Sequence, residues 1–293
     1  MSKNIIYVNG KFSSEDEASI SPLNRGLMYG DGIFETFRGY GGKVFAIGEH
    51  FARLQSAADF LKMNVDFSAE ELGELISELL NKNSLIDKDS RIRLTLIRGR
   101  GTDGLFPDLS AKSEIVITAE EVSSGVRELQ QKGIEIALVE SIKVDPRSPL
   151  ASHKTLNYIP GIVALQEVRE KGGDEGIYLN YEGYIVEGVT SNIFIVKSGR
   201  LKTPPLSSGL LPGITRDSVI KCAAICNIDV EETSITKEDL LKADEIFITS
   251  SVREVMPVIK FEGKGFNVGP ATKEILSSYR EFVKKSLIQQ ATP

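Results

Sequence analysis

Only two cysteines, Cys222 and Cys226, occur in the 293 residues. They stand i,i+4 in a stretch that reads as helix, which excludes a CxxC redox pair and a multi-cysteine zinc site and predicts two small apolar side chains. No uninterrupted apolar run approaches the ~18 residues that a membrane-spanning helix needs. The opening stretch from Met1 to Gly10 has no apolar core of a secretion signal, so a cytoplasmic chain without membrane contact is expected. Positive charge is short as well. The 35 Lys and Arg against 41 Asp and Glu leave a net charge of -6, and a nucleic-acid surface needs clustered basic residues. A local basic pocket stays open. Internal repeats and low-complexity tracts do not occur.

What is present is an ordinary globular composition, 41% hydrophobic and 26% charged, in a chain long enough for one large domain or two ordinary ones without staples. The first third alternates strands with helices. Asn9-Gly10 between two short apolar runs is a hairpin signal, and Gly41-Gly42 closes a second hairpin over 33–46. In its first strand Phe34, Thr36 and Arg38 share one face, while Ile33, Glu35 and Phe37 share the other. A helix is expected over 49–61, and Ser68-Ala69-Glu70-Glu71 is a capping box that opens another. A strand over 91–97 leads into Arg98-Gly99-Arg100-Gly101-Thr102-Asp103-Gly104, two arginines in a glycine-rich loop suited to an anion. The polar stretch 120–128 contains the candidate linker. Beyond it, strands near 134–139, 177–180, 184–187, 192–196, 200–202 and 245–249 predict a meandering sheet or barrel with helices outside.

Taken alone, the candidate chemical residues are ambiguous. A lysine attacks carbonyls when desolvated or set near other cations, yet Lys154, where a loop enters an apolar helix, also reads as a solvated side chain. Glu187, at the end of an apolar strand, either faces solvent or meets a buried cation. Leu211-Pro212-Gly213-Ile214-Thr215-Arg216 is more informative. Glycine lets the backbone approach a ligand and a following helix offers unpaired N–H groups to an anion, although an ordinary helix start capped by Thr215 fits equally. Ser250 and Ser251 end an apolar strand, either as further donors or as a simple turn, and Arg53 lies off the apolar stripe of its helix.

Six ordered segments change the balance: Tyr29-Gly30-Asp31-Gly32-Ile33-Phe34-Glu35, His50 with Arg53-Leu54 and Ser56-Ala57, Lys154-Thr155-Leu156-Asn157, and the stretches 187–192, 211–216 and 249–258. Together they resemble the class IV aminotransferases, the fold type IV pyridoxal-phosphate enzymes that include branched-chain aminotransferases, D-amino acid aminotransferases and 4-amino-4-deoxychorismate lyases. The resemblance spans almost the whole chain. It implies a mixed α/β (α+β) fold in two domains: a smaller N-terminal α/β domain over 1–119, a linker over 120–126, and a larger sheet or barrel-like cofactor domain with outer helices over 127–293.

The resemblance further implies that Lys154 holds pyridoxal 5′-phosphate as a Schiff base and moves the substrate Cα proton. Glu187 matches the carboxylate that bonds the pyridine nitrogen and makes the ring an electron sink. Arg53, Gly213, Ile214, Thr215, Ser250 and Ser251 match the phosphate cup, Asn192 matches a supporting position, and Tyr158 is expected at the cofactor's phenolic oxygen. For an amino acid and a 2-oxo acid the implied contacts are Tyr29, Phe34, Arg38, Arg98 and Arg100. Arg98 matches the arginine that traps the substrate carboxylate in D-amino acid enzymes, and Arg100 stands where those enzymes carry histidine. A homodimer is implied, with Tyr29 and the Arg98 loop reaching across its interface. Within the family the signals divide. Arg38, Arg93 and the run through Asp217 are similar to branched-chain enzymes, whereas Thr36 replaces their usual glycine. The short Lys154-to-Asn157 spacing and Met256-Pro257-Val258 speak for the alternative, a lyase forming 4-aminobenzoate and pyruvate.

Overall fold

Asn9 and Gly10 both take positive φ, 48° and 92°, as the favoured two-residue hairpin turn requires. They join β1 (Ile5–Val8) to β2 (Lys11–Ser14) with Val8 opposite Lys11. The computed structural model describes residues 4–100 and 104–289. Met1-Ser2-Lys3, the loop residues Gly101-Thr102-Asp103 and the last four, Gln290-Ala291-Thr292-Pro293, lie outside the described residues. By internal contacts the chain forms two units, Met1–Val122 with His153–Asn157, and Ser123–Ser152 with Tyr158–Pro293. Sequence order alone assigns 153–157 to the second half; their contacts place them in the first unit.

The first unit continues with α1 (Arg25–Tyr29), β3 (Gly32–Tyr40), β4 (Lys43–Val44), α2 (Ile47–Leu61), α3 (Ala69–Lys82), β5 (Ser90–Ile97) and β6 (Glu114–Glu121). The strands make one sheet in the order β2-β1-β6-β5-β3-β4, and every pair is antiparallel. Alternation along β3 decides the layers. Ile33 and Phe37 join Leu54, Ala58, Leu72 and Ile76 of α2 and α3 in the core, so Phe34, Thr36 and Arg38 take the opposite face. Ser68 accepts from Glu71 N–H and the Glu71 carboxylate accepts from Ser68 N–H, so the expected capping box starts α3.

The second unit contains α4 (Gly125–Lys132), β7 (Ile134–Val144), α5 (Ile159–Glu170), β8 (Glu175–Asn180), β9 (Ile185–Gly188), β10 (Asn192–Lys197), β11 (Arg200–Thr203), α6 (Ile214–Ile225), β12 (Val230–Glu232), α7 (Lys237–Lys242), β13 (Glu245–Ser250), β14 (Glu254–Phe261), β15 (Lys264–Gly265) and α8 (Pro270–Gln289). Its sheet runs β12-β11-β10-β13-β14-β7-β8-β9, with β15 on β14. The β14–β7, β7–β8 and β11–β12 pairs are parallel, and α5 makes the crossover from β7 to β8. The strands are apolar on both faces: Ile136, Leu138 and Ile177 enter one core, while Ala137, Val139 and Tyr178 enter another. Such two-sided burial suits a sheet covered by helices. Among the described residues no helix is long and apolar enough to cross a membrane.

One buried charge fastens α2 to β3 in the first unit. Glu35 accepts from Arg53 Nε at 2.8 Å and Nη2 at 2.7 Å, and its other partner is His50 Nδ1 at 2.8 Å. Burial would raise the Glu35 pKa, but the charge and hydrogen bonds of Arg53, with help from His50, bring it down to about 2. Burial also lowers the pKa of His50 against the pull of Glu35. Both groups have depressed folded-state pKa values, so the unfolded chain binds more protons in acid and stability falls with pH. The loss should begin below the ordinary histidine value of 6.5 and deepen below 4.5 as unfolded Glu35 protonates, the latter costing up to ~3 kcal/mol. Urea midpoints at pH 7.5, 5.5 and 4 should therefore fall stepwise, and Glu35→Gln should remove the lower step.

Candidate active site

The edge of β3 is open at its start, because β4 pairs only with Gly39 and Tyr40. The lysine segment fills that edge. Phe34 N–H donates to Lys154 O at 2.9 Å, Leu156 N–H donates to Gly32 O at 3.0 Å, and Ile33 bridges Thr155 in antiparallel sense. The approach is close enough to demand glycine at 32, since a Cβ there would meet Leu156 Cδ1 and Leu96 O at 2.7 Å. Stacking of His153 on Phe60, with ring centroids 4.6 Å apart, holds the residue before the lysine. The Lys154 Nζ then lies 4.4 Å from the Phe34 ring centroid, and the Arg93 guanidinium carbon lies 3.7 Å from the same ring. Two cations thus share one buried aromatic ring.

In the second unit the carboxylate of Glu187, at the end of β9, accepts from Leu211 N–H at 3.1 Å and Asn192 Nδ2 at 3.2 Å. Asn192 Nδ2 also donates to Leu211 O at 3.0 Å. Gly213 is required here too: a Cβ would overlap Asn192 Oδ1. Tyr178 is buried close to this carboxylate, and its phenol is pushed up to about 12 by burial and then by the charge of Glu187, so it stays a neutral neighbour at physiological pH. Tyr158 also contributes to the field at Tyr178 and occupies the N-cap of α5. It is therefore close to the same group.

Two observations fit a phosphate-bearing cofactor in this unit. Helix α6 starts at Ile214 behind Gly213 without a side-chain cap, which leaves its first N–H groups for an anion. Thr249, opposite Asn192 in the β10–β13 pair, has a buried hydroxyl without a hydrogen-bond partner. Thr215 is buried in the first turn of α6, and Ser250 ends β13 with its hydroxyl accepting from Arg253 N–H at 3.4 Å. Ser251 follows in the turn.

The arginines expected at the substrate sort differently. Arg98 is 4% exposed and donates to Asp31 through Nε at 2.9 Å, to Lys62 O through Nη1 at 3.0 Å and to Leu61 O through Nη2 at 2.6 Å. Turning it outward would leave those acceptors unpaired, so in this structure it braces the first unit. Arg38 donates to Asp89 at 2.8 Å and covers the Tyr40 ring. It stands four residues along β3 from Phe34, roughly 13 Å at ~3.3 Å per residue. Arg100 is exposed beyond β5. Arg53 is paired with Glu35, and Tyr29 lies under the guanidinium of Arg25. The cation that the structure does bring to Phe34 is Arg93, one residue beyond Ile92 on the non-core face of β5. The register Thr36↔Arg93 was the available signal, because alternation places both on the face that carries Phe34.

Comparison with known proteins agrees with this architecture. The profile of the family described as amino-transferase class IV matches residues 32–261. A Methanocaldococcus jannaschii protein, provisionally assigned as a branched-chain-amino-acid aminotransferase, is 39% identical over 283 residues, 96% of this chain and 96% of that one. The aminodeoxychorismate lyase of Bacillus subtilis is 31% identical over 285 residues, 97% and 96% of the two chains. Among solved structures, the branched-chain aminotransferase of Thermoproteus uzoniensis with norvaline superposes with a TM-score of 0.89 at 33% identity, covering 97% of this chain and 96% of that one.

The crowding at Gly213 is open to a direct check. Gly213→Ala should weaken binding of pyridoxal 5′-phosphate about tenfold by displacing Asn192, an effect of ~1.4 kcal/mol. Gly48→Ala, with nothing within 4 Å of the added carbon, should leave it unchanged in the same titration of apoprotein by absorbance.

Proposed function

The chain belongs to the class IV aminotransferases, and on that premise we propose that it moves amino groups between branched-chain amino acids and their 2-oxo acids with Lys154 at the reacting centre. Amino transfer and dependence on pyridoxal 5′-phosphate come with the family. When bound, that cofactor supplies a carbonyl to take up the amino group and a ring that withdraws electrons from the substrate Cα–H bond.

The observation that carries the assignment is the seat of Lys154, held at the edge of β3 with its amine on the Phe34 ring that Arg93 also covers. A lysine fixed in this way would anchor that cofactor, and its amine would take the substrate Cα proton and return it. Glu187, oriented by Leu211 N–H and Asn192, would keep a proton on the cofactor's ring nitrogen. The first turn of α6 with Thr215, Ser250 and Ser251 would hold its phosphate, and Tyr158 would meet its phenolic oxygen. Phe34 gives the substrate an apolar wall, Arg93 a cation for its carboxylate, and Tyr29 a further contact. The branched-chain preference draws support from the names of the M. jannaschii and T. uzoniensis relatives.

The protein acts as a cytoplasmic homodimer in this proposal. Unpaired Cys222 and Cys226 suit a reducing compartment. Exposed apolar side chains, Leu27 and Phe106 in the first unit and Ile159 and Ile162 in the second, suit burial against a second copy.

A second outcome, release of pyruvate from aminodeoxychorismate, is favoured by the Lys154-to-Asn157 spacing and by the B. subtilis relative. A panel of half-reactions separates the two. L-Leucine, L-isoleucine and L-valine should convert the yellow holoenzyme to the amine form of the cofactor, D-alanine should not, and aminodeoxychorismate should yield no pyruvate. Conversion by D-alanine alone, or pyruvate release, would overturn the substrate assignment. Lys154→Ala should lose the visible absorbance of the covalently held cofactor and at least ~100-fold in turnover.

A further inference from the structure

Glu175, the first residue of β8, is fully buried. Burying a carboxylate costs several kcal/mol unless its oxygens are paired, and the partners of Glu175 come from two turns far apart in sequence. Its Oε1 accepts from Thr190 N–H at 3.0 Å, and its Oε2 accepts from Thr190 Oγ1 at 2.6 Å. The same Oε2 accepts from Arg253 Nη1 at 2.7 Å. Thr190 lies in the turn between β9 and β10, which separates Glu187 from Asn192. Arg253 lies in the turn between β13 and β14, which carries Ser250 and Ser251.

The second turn is also held from its other side. Gln130 Nε2 donates to Arg253 O at 2.8 Å and to the Glu254 carboxylate at 3.1 Å. Arg280 donates to Glu254 at 3.0 Å and to Gln130 Oε1 at 2.7 Å. Glu254 itself has φ of 55°, a left-handed conformation that costs a residue with a Cβ ~1–2 kcal/mol and persists where its surroundings over-determine it. The turn is thus pinned in a conformation it would not adopt alone, with Arg253 as its link to Glu175.

We infer that Glu175, acting through Thr190 and Arg253, is a positioning residue that sets the spacing between the ring-nitrogen grip at Glu187 and the phosphate grip at Ser250 and Ser251. It touches neither the cofactor nor the substrate. The inference rests on the cofactor contacts proposed above. A cofactor held at both ends is sensitive to that spacing, because an error at one grip must be taken up at the other.

The test compares release of pyridoxal 5′-phosphate and of pyridoxal, which lacks the phosphate, from holoprotein diluted into a carbonyl scavenger. Arg253→Met keeps the apolar stem of a side chain that is 34% exposed and should speed loss of pyridoxal 5′-phosphate about tenfold, the order expected for one charge-assisted hydrogen bond, with pyridoxal release unchanged. Arg253→Lys should restore most of the difference. Glu175→Gln should speed release of both and shift the pH at which the visible band of the bound cofactor titrates. Wild-type release and titration in both Arg253→Met and Glu175→Gln would overturn the inference, as would equal acceleration of both ligands in Arg253→Met. Ser250→Ala and Glu187→Gln separate the two levels: if they also release cofactor at the wild-type rate, the proposed contacts themselves are wrong, whereas weakening there with no effect at 175 or 253 refutes only the positioning role.

Discussion

Two backbone hydrogen bonds, from Phe34 N–H to Lys154 O and from Leu156 N–H to Gly32 O, hold the main chain of the lysine proposed as the reacting group. A lysine on a loop would sample many rotamers, and its Nζ would have no defined position. Pairing its backbone with a strand edge removes the main-chain part of that freedom, and the Phe34 ring limits the rest. The same pairing fills an edge that would otherwise expose unpaired backbone groups. Much of the first unit serves this edge. Gly32 admits the approach, the core face of β3 locks the strand through Ile33 and Phe37, and the buried Glu35 ties α2 to it through Arg53 and His50.

The second unit solves a different problem, the placement of polar groups at strand ends inside an apolar sheet. Each carboxylate involved is satisfied by named donors: Glu187 by Asn192 and Leu211, Glu175 by Thr190 and Arg253, Glu254 by Gln130 and Arg280. Burial makes such networks unforgiving, since a lost partner leaves a desolvated charge. It also makes them rigid, which a site that must hold a ligand at several atoms requires.

Local chemistry made much of this legible in the sequence. The Asn9-Gly10 turn, the Ser68 capping box and the alternation along β3 and β5 each follow from short-range rules, and the family resemblance supplied the site proposed from Lys154 to Ser251. What escaped depends on tertiary partners. Helix α4 buries only Gln130, so no apolar stripe marks it, and its segment looks like a linker. Strand β14 carries Pro257 opposite Phe247, and proline in a central strand argues against the assignment that the sheet nevertheless enforces. Arg98 matched a substrate arginine by position, but its three acceptors are visible only in three dimensions. Arg93 carries no local mark of the site, because it shares the Phe34 ring with a lysine distant in the chain.

The lysine seat also has a consequence for the order of folding. Phe34 and Lys154 are 120 positions apart, and closing a loop of that length costs about 4 kcal/mol of chain entropy. During synthesis the β-strands and helices of the first unit can pair before the stretch Ser123–Ser152, which belongs to the other unit, has emerged. A nascent chain ending at Val122 would hold the sheet but not Lys154. Lys154 is thus among the last parts of the first unit to be installed, so the growing polypeptide passes through a structured stage in which the edge of β3 still waits for the segment that fills it.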